Sequence, residues 1–222
     1  LTHVAGEPAR CVDRDGSLAI ETSTGPGDVL PFGDDECVLG TTPIGEPGEI
    51  ARALAIDGDR GLDDASGGNA WVGLHDGQAI VVVDGLTGAV LRRIETPDFS
   101  PYAAAFDPWG RLWMSSRDGL LLRLDPSVEP PAVRIVEVPA SCWLLYSLAI
   151  DEAGRIALTG FSCDRVSVYD PSAGRWGSVA TEPSPRGAIF AGDRLFVTHT
   201  SGLLTELALG PLRVREVRTL AT

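Results

Sequence analysis

The chain has 222 residues, 44% of them hydrophobic, which suffices for one large domain or two small ones around an apolar core. It carries 18 basic and 31 acidic residues for a formal net charge of −13, and every basic residue is arginine. Such a surface repels phosphate backbones and anionic lipid, which sets aside nucleic acid and charged membrane faces as partners, and no apolar run is long enough to span a bilayer.

The first fifty residues carry no repeat. Leu1 to Val4 read as the tail of a strand, and the start at Leu1, with no Met and no signal peptide, reads as a processed or trimmed piece of a longer precursor. Ala9 to Gly45 is rich in Gly, Pro, Asp and Thr and reads as a long insertion loop, a type uncommon unless a crosslink, a metal or a function holds it. Within it Asp13, Asp15, Ser17, Ala19 and Glu21 follow the ligand order of an EF-hand or dockerin-like calcium loop. Leu18 stands where such a loop has its turn glycine, and Thr24 where it has a bidentate acid, for which Asp28 or Asp34 would substitute. The other reading of this stretch is a solvated acidic loop. Calcium is the one cofactor the sequence points to.

From Ala51 onward four lines can be laid beneath one another. Ala53-Leu54-Ala55-Ile56-Asp57 matches Ala103-Ala104-Ala105-Phe106-Asp107, Ser147-Leu148-Ala149-Ile150-Asp151 and, more weakly, Gly187-Ala188-Ile189-Phe190. The three aspartates stand 50 and 44 residues apart. The first interval is longer because an Asp/Gly-rich loop, Gly58 to Asn69, is inserted; its Asp57, Asp59, Asp63 and Asp64 read as an acidic face. A second, third and fourth short strand follow each first one, separated by turn residues. Four strands in a period of about 40 to 50 residues predict an all-β fold, a β-propeller of four-stranded antiparallel blades. The blades are expected at about 51–98, 99–141, 142–184 and 185–222, with a partial blade and the insert at 1–50. A β-sandwich is the runner-up, but it does not explain the period. Trp71 and Trp113 occupy equivalent second-strand positions, where they would fill the wedge between blades. Four complete blades are fewer than a closed ring usually needs, so an upstream segment or another chain is expected to complete it.

The four cysteines, Cys11, Cys37, Cys142 and Cys163, form no CxxC pair, which argues against a zinc ribbon. Two disulfides in an oxidising compartment or four buried thiols both fit this count. Cys142 precedes the first strand of one blade and Cys163 follows its second strand, so an antiparallel pair brings them together. Cys11 and Cys37 then pair by elimination.

The stretches DPWGRLWMSS with GLLLRLDP, and DEAGRIALTG with RVSVYDP, resemble the blades of streptogramin lyase-like (virginiamycin B lyase-like) propellers, and NHL repeats look similar. The resemblance covers Ala51 to Leu220. It implies a propeller and, where a His/Glu constellation is present at one mouth, a metal-dependent enzyme that opens a cyclic peptide ester. Here the second strands end in Gly73-Leu74-His75, Ser115-Ser116, Thr159-Gly160 and Thr198-His199 rather than Thr-Glu. The insert, CVDRDGSLAIETSTGPGDVLPFGDDECVLG, resembles inserts in secreted bacterial propeller lipoproteins, which implies a blade before Leu1.

In a propeller, loops entering the first strand and leaving the second share a face. That places Tyr102, Arg117, Asp118, Trp143, Tyr146, Phe161 and Arg186 around one mouth as a ligand-binding face, with His75, Asp76 and His199 nearby. His75 and His199 are the only candidate catalytic residues, and there is no GxSxG, Walker or HExxH pattern. Two functions compete. One is an extracellular, periplasmic or cell-surface propeller, non-catalytic, that binds a small molecule or protein. The other is a metal-dependent lyase of the streptogramin-lyase type.

Overall fold

A computed structural model describes residues 1–58, 68–139, 142–210 and 212–219. The acidic loop residues Asp59, Asp63 and Asp64 lie outside the described residues, as does Leu220. Strands β1 (Thr2–Val4) and β2 (Val38–Thr41) form a two-stranded antiparallel sheet. Between them a single 3-10 turn, Pro8–Arg10, opens the insert. Four sheets of four antiparallel strands follow. Blade 1 holds β3 (Ala51–Ile56), β4 (Ala70–Leu74), β5 (Ala79–Val83) and β6 (Val90–Glu95). Blade 2 holds β7 (Pro101–Phe106), β8 (Leu112–Ser116), β9 (Leu120–Asp125) and β10 (Ala132–Glu137). Blade 3 holds β11 (Leu145–Ile150), β12 (Ile156–Gly160), β13 (Arg165–Asp170) and β14 (Arg175–Ala180). Blade 4 holds β15 (Pro185–Ala191), β16 (Arg194–His199), β17 (Leu203–Leu209) and β18 (Leu212–Thr219). The architecture is a β-propeller arc.

The blades pack in chain order through their first strands, β3 on β7, β7 on β11 and β11 on β15. Each interface is an apolar sandwich. Ala53, Ala55, Trp71, Ile80 and Val82 of blade 1 meet Leu112, Met114, Leu122 and Leu124 of blade 2. Trp113 and Leu121 of blade 2 meet Leu145, Leu148, Ile156 and Leu158 of blade 3. The second strands of blades 1 to 3, β4, β8 and β12, are covered on both faces and buried at every residue, whereas β16 of blade 4 alternates. Fourth strands are mostly exposed and form the solvent-facing rim. The two tryptophans bridge outward: Trp71 meets Phe106 edge-on at 6.0 Å, and Trp113 meets Tyr169 at 6.1 Å. Such pairs contribute about 0.5–1.5 kcal/mol beyond the area they bury.

The Asp-x-x-Gly-Arg motif locks the turn between first and second strands. Asp107 Oδ1 accepts from the Trp109 and Arg111 amides, both at 3.0 Å, and Oδ2 from Arg111 Nε at 2.6 Å and Trp113 Nε1 at 2.9 Å. Asp151 repeats the first three bonds with Ala153 and Arg155. Asp57 uses Asn69 and Trp71 Nε1 instead. Blade 4 has Ala191 at this position and lacks the lock. Gly154 has φ +74°, and a Cβ there would fall inside the Trp109 ring, so blade 2 covers the turn of blade 3 directly.

The arc has two uncovered flanks among the described residues. On blade 1, Leu54 and Ile56 are 51% and 47% exposed, because β1 and β2 with Leu1 and Ile44 cover only the outer part of that face. On blade 4, Ile189 is 65% exposed. First strands β3 and β15 do not pack on each other as successive ones do.

Candidate functional site

The sequence element that builds the site is the second residue of each blade's first strand. Pairing in β3–β4 runs Ala51 with Leu74, then Ala53 with Gly73, leaving Arg52 as an extra residue. The same irregularity leaves out Tyr102 in β7, Tyr146 in β11 and Arg186 in β15. A bulge of this kind takes its residue out of the two-fold alternation and re-aims the side chain. Four times over, it turns a side chain toward one mouth instead of into a blade interface.

Buried polar groups tie the bulges of blades 2, 3 and 4 to the blade before each. His75 Nδ1–H donates to the Pro101 carbonyl at 3.3 Å, Ser115 Oγ to the Leu145 carbonyl at 3.1 Å, and Thr159 Oγ1 to the Arg186 carbonyl at 3.1 Å. The hydroxyl of Thr159 also accepts the Ser147 amide at 2.9 Å. These bonds act between blades, so they fix the relative position of the re-aimed side chains.

The result is a continuous row. The Arg52 guanidinium lies 5.0 Å from the Tyr102 ring centre. Tyr102 meets Tyr146 edge-on at 5.4 Å and His75 at 5.7 Å. Tyr146 lies 5.5 Å from Phe161, and the Arg186 guanidinium caps both rings at 4.9 and 5.6 Å. Cation–π contacts at such distances contribute about 0.5–2 kcal/mol depending on desolvation. Tyr102, Tyr146, Phe161 and Arg186 thus converge as the sequence places them. Arg52 completes the row; no sequence motif marks it, although its register in the repeat is that of Tyr102, Tyr146 and Arg186.

Arg117, Asp118 and Trp143 form a separate group further out. The Arg117 guanidinium lies 6.0 Å from Trp143, which is 58% exposed. Asp118 and Trp143 border a shallow depression of about 320 Å³ beside Cys142. The Cys142–Cys163 disulfide, with Cα atoms 5.4 Å apart, clamps the loop carrying Trp143 to the loop carrying Phe161.

The two histidines do not meet. His75 stands at the end of β4 in blade 1 and His199 at the end of β16 in blade 4, each less than a tenth exposed. His199 Nδ1–H donates to the Pro183 carbonyl at 3.2 Å, and its Nε2 accepts from Thr205 Oγ1 at 2.9 Å. His75 Nε2 lies 3.8 Å from Asp76. His75 ties its strand end to blade 2 through Pro101, and His199 holds the loop that enters its own blade.

The insert is bound by Cys11–Cys37, Cα atoms 4.4 Å apart. Among the described residues one group of acids has a metal-ligating spacing: carboxylate oxygens of Asp13, Asp15 and Glu36 lie within 4.8 Å of one another. Glu21 is not part of it; its amide instead donates to Glu36 Oε2 at 3.0 Å. Ser17 Oγ donates to the Ala19 carbonyl at 3.1 Å, and Asp28 accepts from Thr24 within its own turn. Asp13 accepts the Gly16 and Leu18 amides, with Leu18 in the left-handed region at φ +66°. Calcium takes six to eight oxygens, so the three carboxylates would supply part of a shell completed by carbonyls or water.

Asp35 is held well below the ordinary aspartate range. The Ser23 amide, then the Ser23 and Thr22 hydroxyls, hold its carboxyl down to about 2. Since the folded pKa lies below the ordinary aspartate value, this contribution is present above about pH 4 and is lost as pH falls through about 2. Hydrogen exchange should show protection of residues 21–37 fading across that window while blade 3 keeps its own; undiminished protection of the insert at the acid end would contradict this.

The fold and mouth define the class: a β-propeller with a bulge-built rim. No family model and no curated protein matches the chain. Among solved structures it is similar to virginiamycin B lyase from Staphylococcus aureus, at 15% identity and TM-score 0.67 over 81% of this chain and 59% of that one. It is similar to a streptogramin B lyase at 16% identity and TM-score 0.66, over 80% and 57%. Sqt1 of Saccharomyces cerevisiae follows at 18% identity and TM-score 0.65, over 78% and 48%. The chain therefore spans under two thirds of the length of these propellers, and at such identities the likeness establishes the shared fold.

Proposed function

We propose that this is a non-catalytic binding propeller of an oxidising compartment, secreted or at the cell surface, that takes a small molecule or a protein group at the rim of Arg52, Tyr102, Tyr146, Phe161 and Arg186. The observation that supports this reading is the bulge repeated in all four first strands, which sets four side chains on one mouth. The two disulfides support the compartment. The rival, a metal-dependent lyase, needs histidines and a carboxylate around one ion, whereas His75 is bonded to Pro101 of blade 2 and His199 to Pro183 and Thr205. Further strands, from an upstream segment or another chain, would cover Leu54 and Ile56 and complete the ring.

A fragment screen read by protein NMR tests the site. Hits are expected to shift the Tyr102, Tyr146 and Phe161 signals, and Tyr146→Ala should weaken them at least about tenfold, the scale of losing one well-packed aromatic contact. Hits that ignore Tyr102→Ala and Tyr146→Ala place binding elsewhere. Incubation with a cyclic depsipeptide and a divalent metal tests the rival, and a linearised product would overturn the non-catalytic reading.

As part of the same proposal, calcium sits at Asp13, Asp15 and Glu36 and stiffens the insert. Calcium should then slow proteolysis within residues 12–36 of the wild type but not of Asp15→Ala. Equal cleavage rates with and without calcium in both proteins would end the idea.

A further inference from the structure

We propose that the mouth is selective for flat aromatic acids, with a guanidinium at each end of the tyrosine pair receiving a carboxylate. This rests on the reading of the mouth as a binding site and adds the chemistry of its ligand. The motivating observation is the composition of the four bulge positions, which in blade order are Arg52, Tyr102, Tyr146 and Arg186. In a chain of net charge −13, the two outer members are cations. Among the described residues neither forms an ion pair with a carboxylate, unlike Arg93, Arg111 and Arg155, which are held by Glu49, Asp107 and Asp151.

Each guanidinium is instead stacked. Arg52 lies over Tyr102 at 5.0 Å and reaches its hydroxyl with Nη1 at 3.4 Å; Arg186 lies over Tyr146 at 4.9 Å. A stacked guanidinium is fixed in orientation yet keeps its edge N–H donors for a planar acceptor, which a carboxylate matches with two parallel bonds. Between them the Tyr102–Tyr146 pair, in edge-on contact with ring centres 5.4 Å apart, adds aromatic surface and two hydroxyls against which an aromatic body would lie. The bulk of the protein repels anions, so binding of an acid is expected at these two arginines rather than spread over the surface.

The experiment uses three probes of one shape: 2,6-naphthalenedicarboxylate, 2-naphthoate and the neutral dimethyl ester of the diacid. Affinities are measured by NMR titration of the full chain, with Arg52→Gln and Arg186→Gln as variants and Tyr102 and Tyr146 signals as reporters. The expected order is diacid over monoacid over ester. Each arginine variant should lose about tenfold for the diacid and clearly less for the ester, which has no carboxylate for the guanidinium to receive. Circular dichroism of each variant checks folding, and Arg52→Lys should restore part of the loss, since it returns the charge without the fork. If the ester binds as tightly as the acids and the arginine variants change nothing, the acid selectivity is overturned while the mouth reading stands. If the acids bind but shift signals remote from Tyr102 and Tyr146, both are overturned. Absence of binding by all three probes also overturns the selectivity, leaving the fragment screen to judge the mouth.

Discussion

Asp107→Ala should destabilise the protein by about 3–5 kcal/mol, the range for removing one partner from a buried charged network. The Asp107 side chain is fully buried and accepts four hydrogen bonds. Without it the Trp113 Nε1 and the Arg111 guanidinium lose a charged acceptor beneath the blade 2 sheet, and orphaned buried donors carry their full desolvation cost. The damage extends to blade 3. Arg111 also stacks under Trp109 at 4.7 Å, and Trp109 covers the Gly154 turn. Asp151→Ala is the internal comparison, because blade 3 has Ala157 where blade 2 has the tryptophan, so it loses one donor fewer and should cost less. Urea unfolding of both variants reads the difference; a loss below about 1 kcal/mol for Asp107→Ala would mean that water or relaxation replaces the carboxylate.

Replacing Cys142 and Cys163 together by Ala should cost about 3 kcal/mol in the chain-entropy account of a 21-residue loop, a large share of a domain's typical 5–15 kcal/mol. The bridge joins the entry of β11 to the exit of β12. Alongside it the Phe161 amide donates to the Leu144 carbonyl at 3.0 Å, and Ser162 Oγ accepts the Leu144 amide at 3.3 Å. Gly160 is required there, since a Cβ would stand 2.5 and 2.6 Å from the two sulfurs. Loosening this corner releases Phe161 from Tyr146, so ligand affinity at the mouth should fall together with stability. The matching Cys11→Ala/Cys37→Ala variant opens a 26-residue loop, but one that lies in the insert, outside the blade interfaces. Its expected effect is local: faster proteolysis of the insert with little change in the unfolding midpoint of the blades. Equal global losses from the two pairs would contradict that division.

The sequence by itself determined the blades. Small-residue first strands, unbroken apolar second strands and Asp-x-x-Gly-Arg turns each state their environment locally, and their repetition states that the environments recur. Trp71 and Trp113 are legible too, from their equivalent second-strand positions; the structure adds that each indole donates to the aspartate that follows its blade's first strand. Tertiary structure alone decided that Arg52 joins the mouth and which acids share the insert. Arg52 stands one residue before the pattern that aligns the first strands. A bulge residue is by nature outside the alternation that makes a strand legible, so only its pairing register exposes it. Glu36 joins Asp13 and Asp15 from over twenty residues away because Cys11–Cys37 and the paired amides of Arg14 and Glu21 bring it there. A local ligand spacing selects Glu21 instead. Local patterns encode what a residue's neighbours along the chain impose; crosslinks and register shifts act between distant segments and leave no period in the sequence.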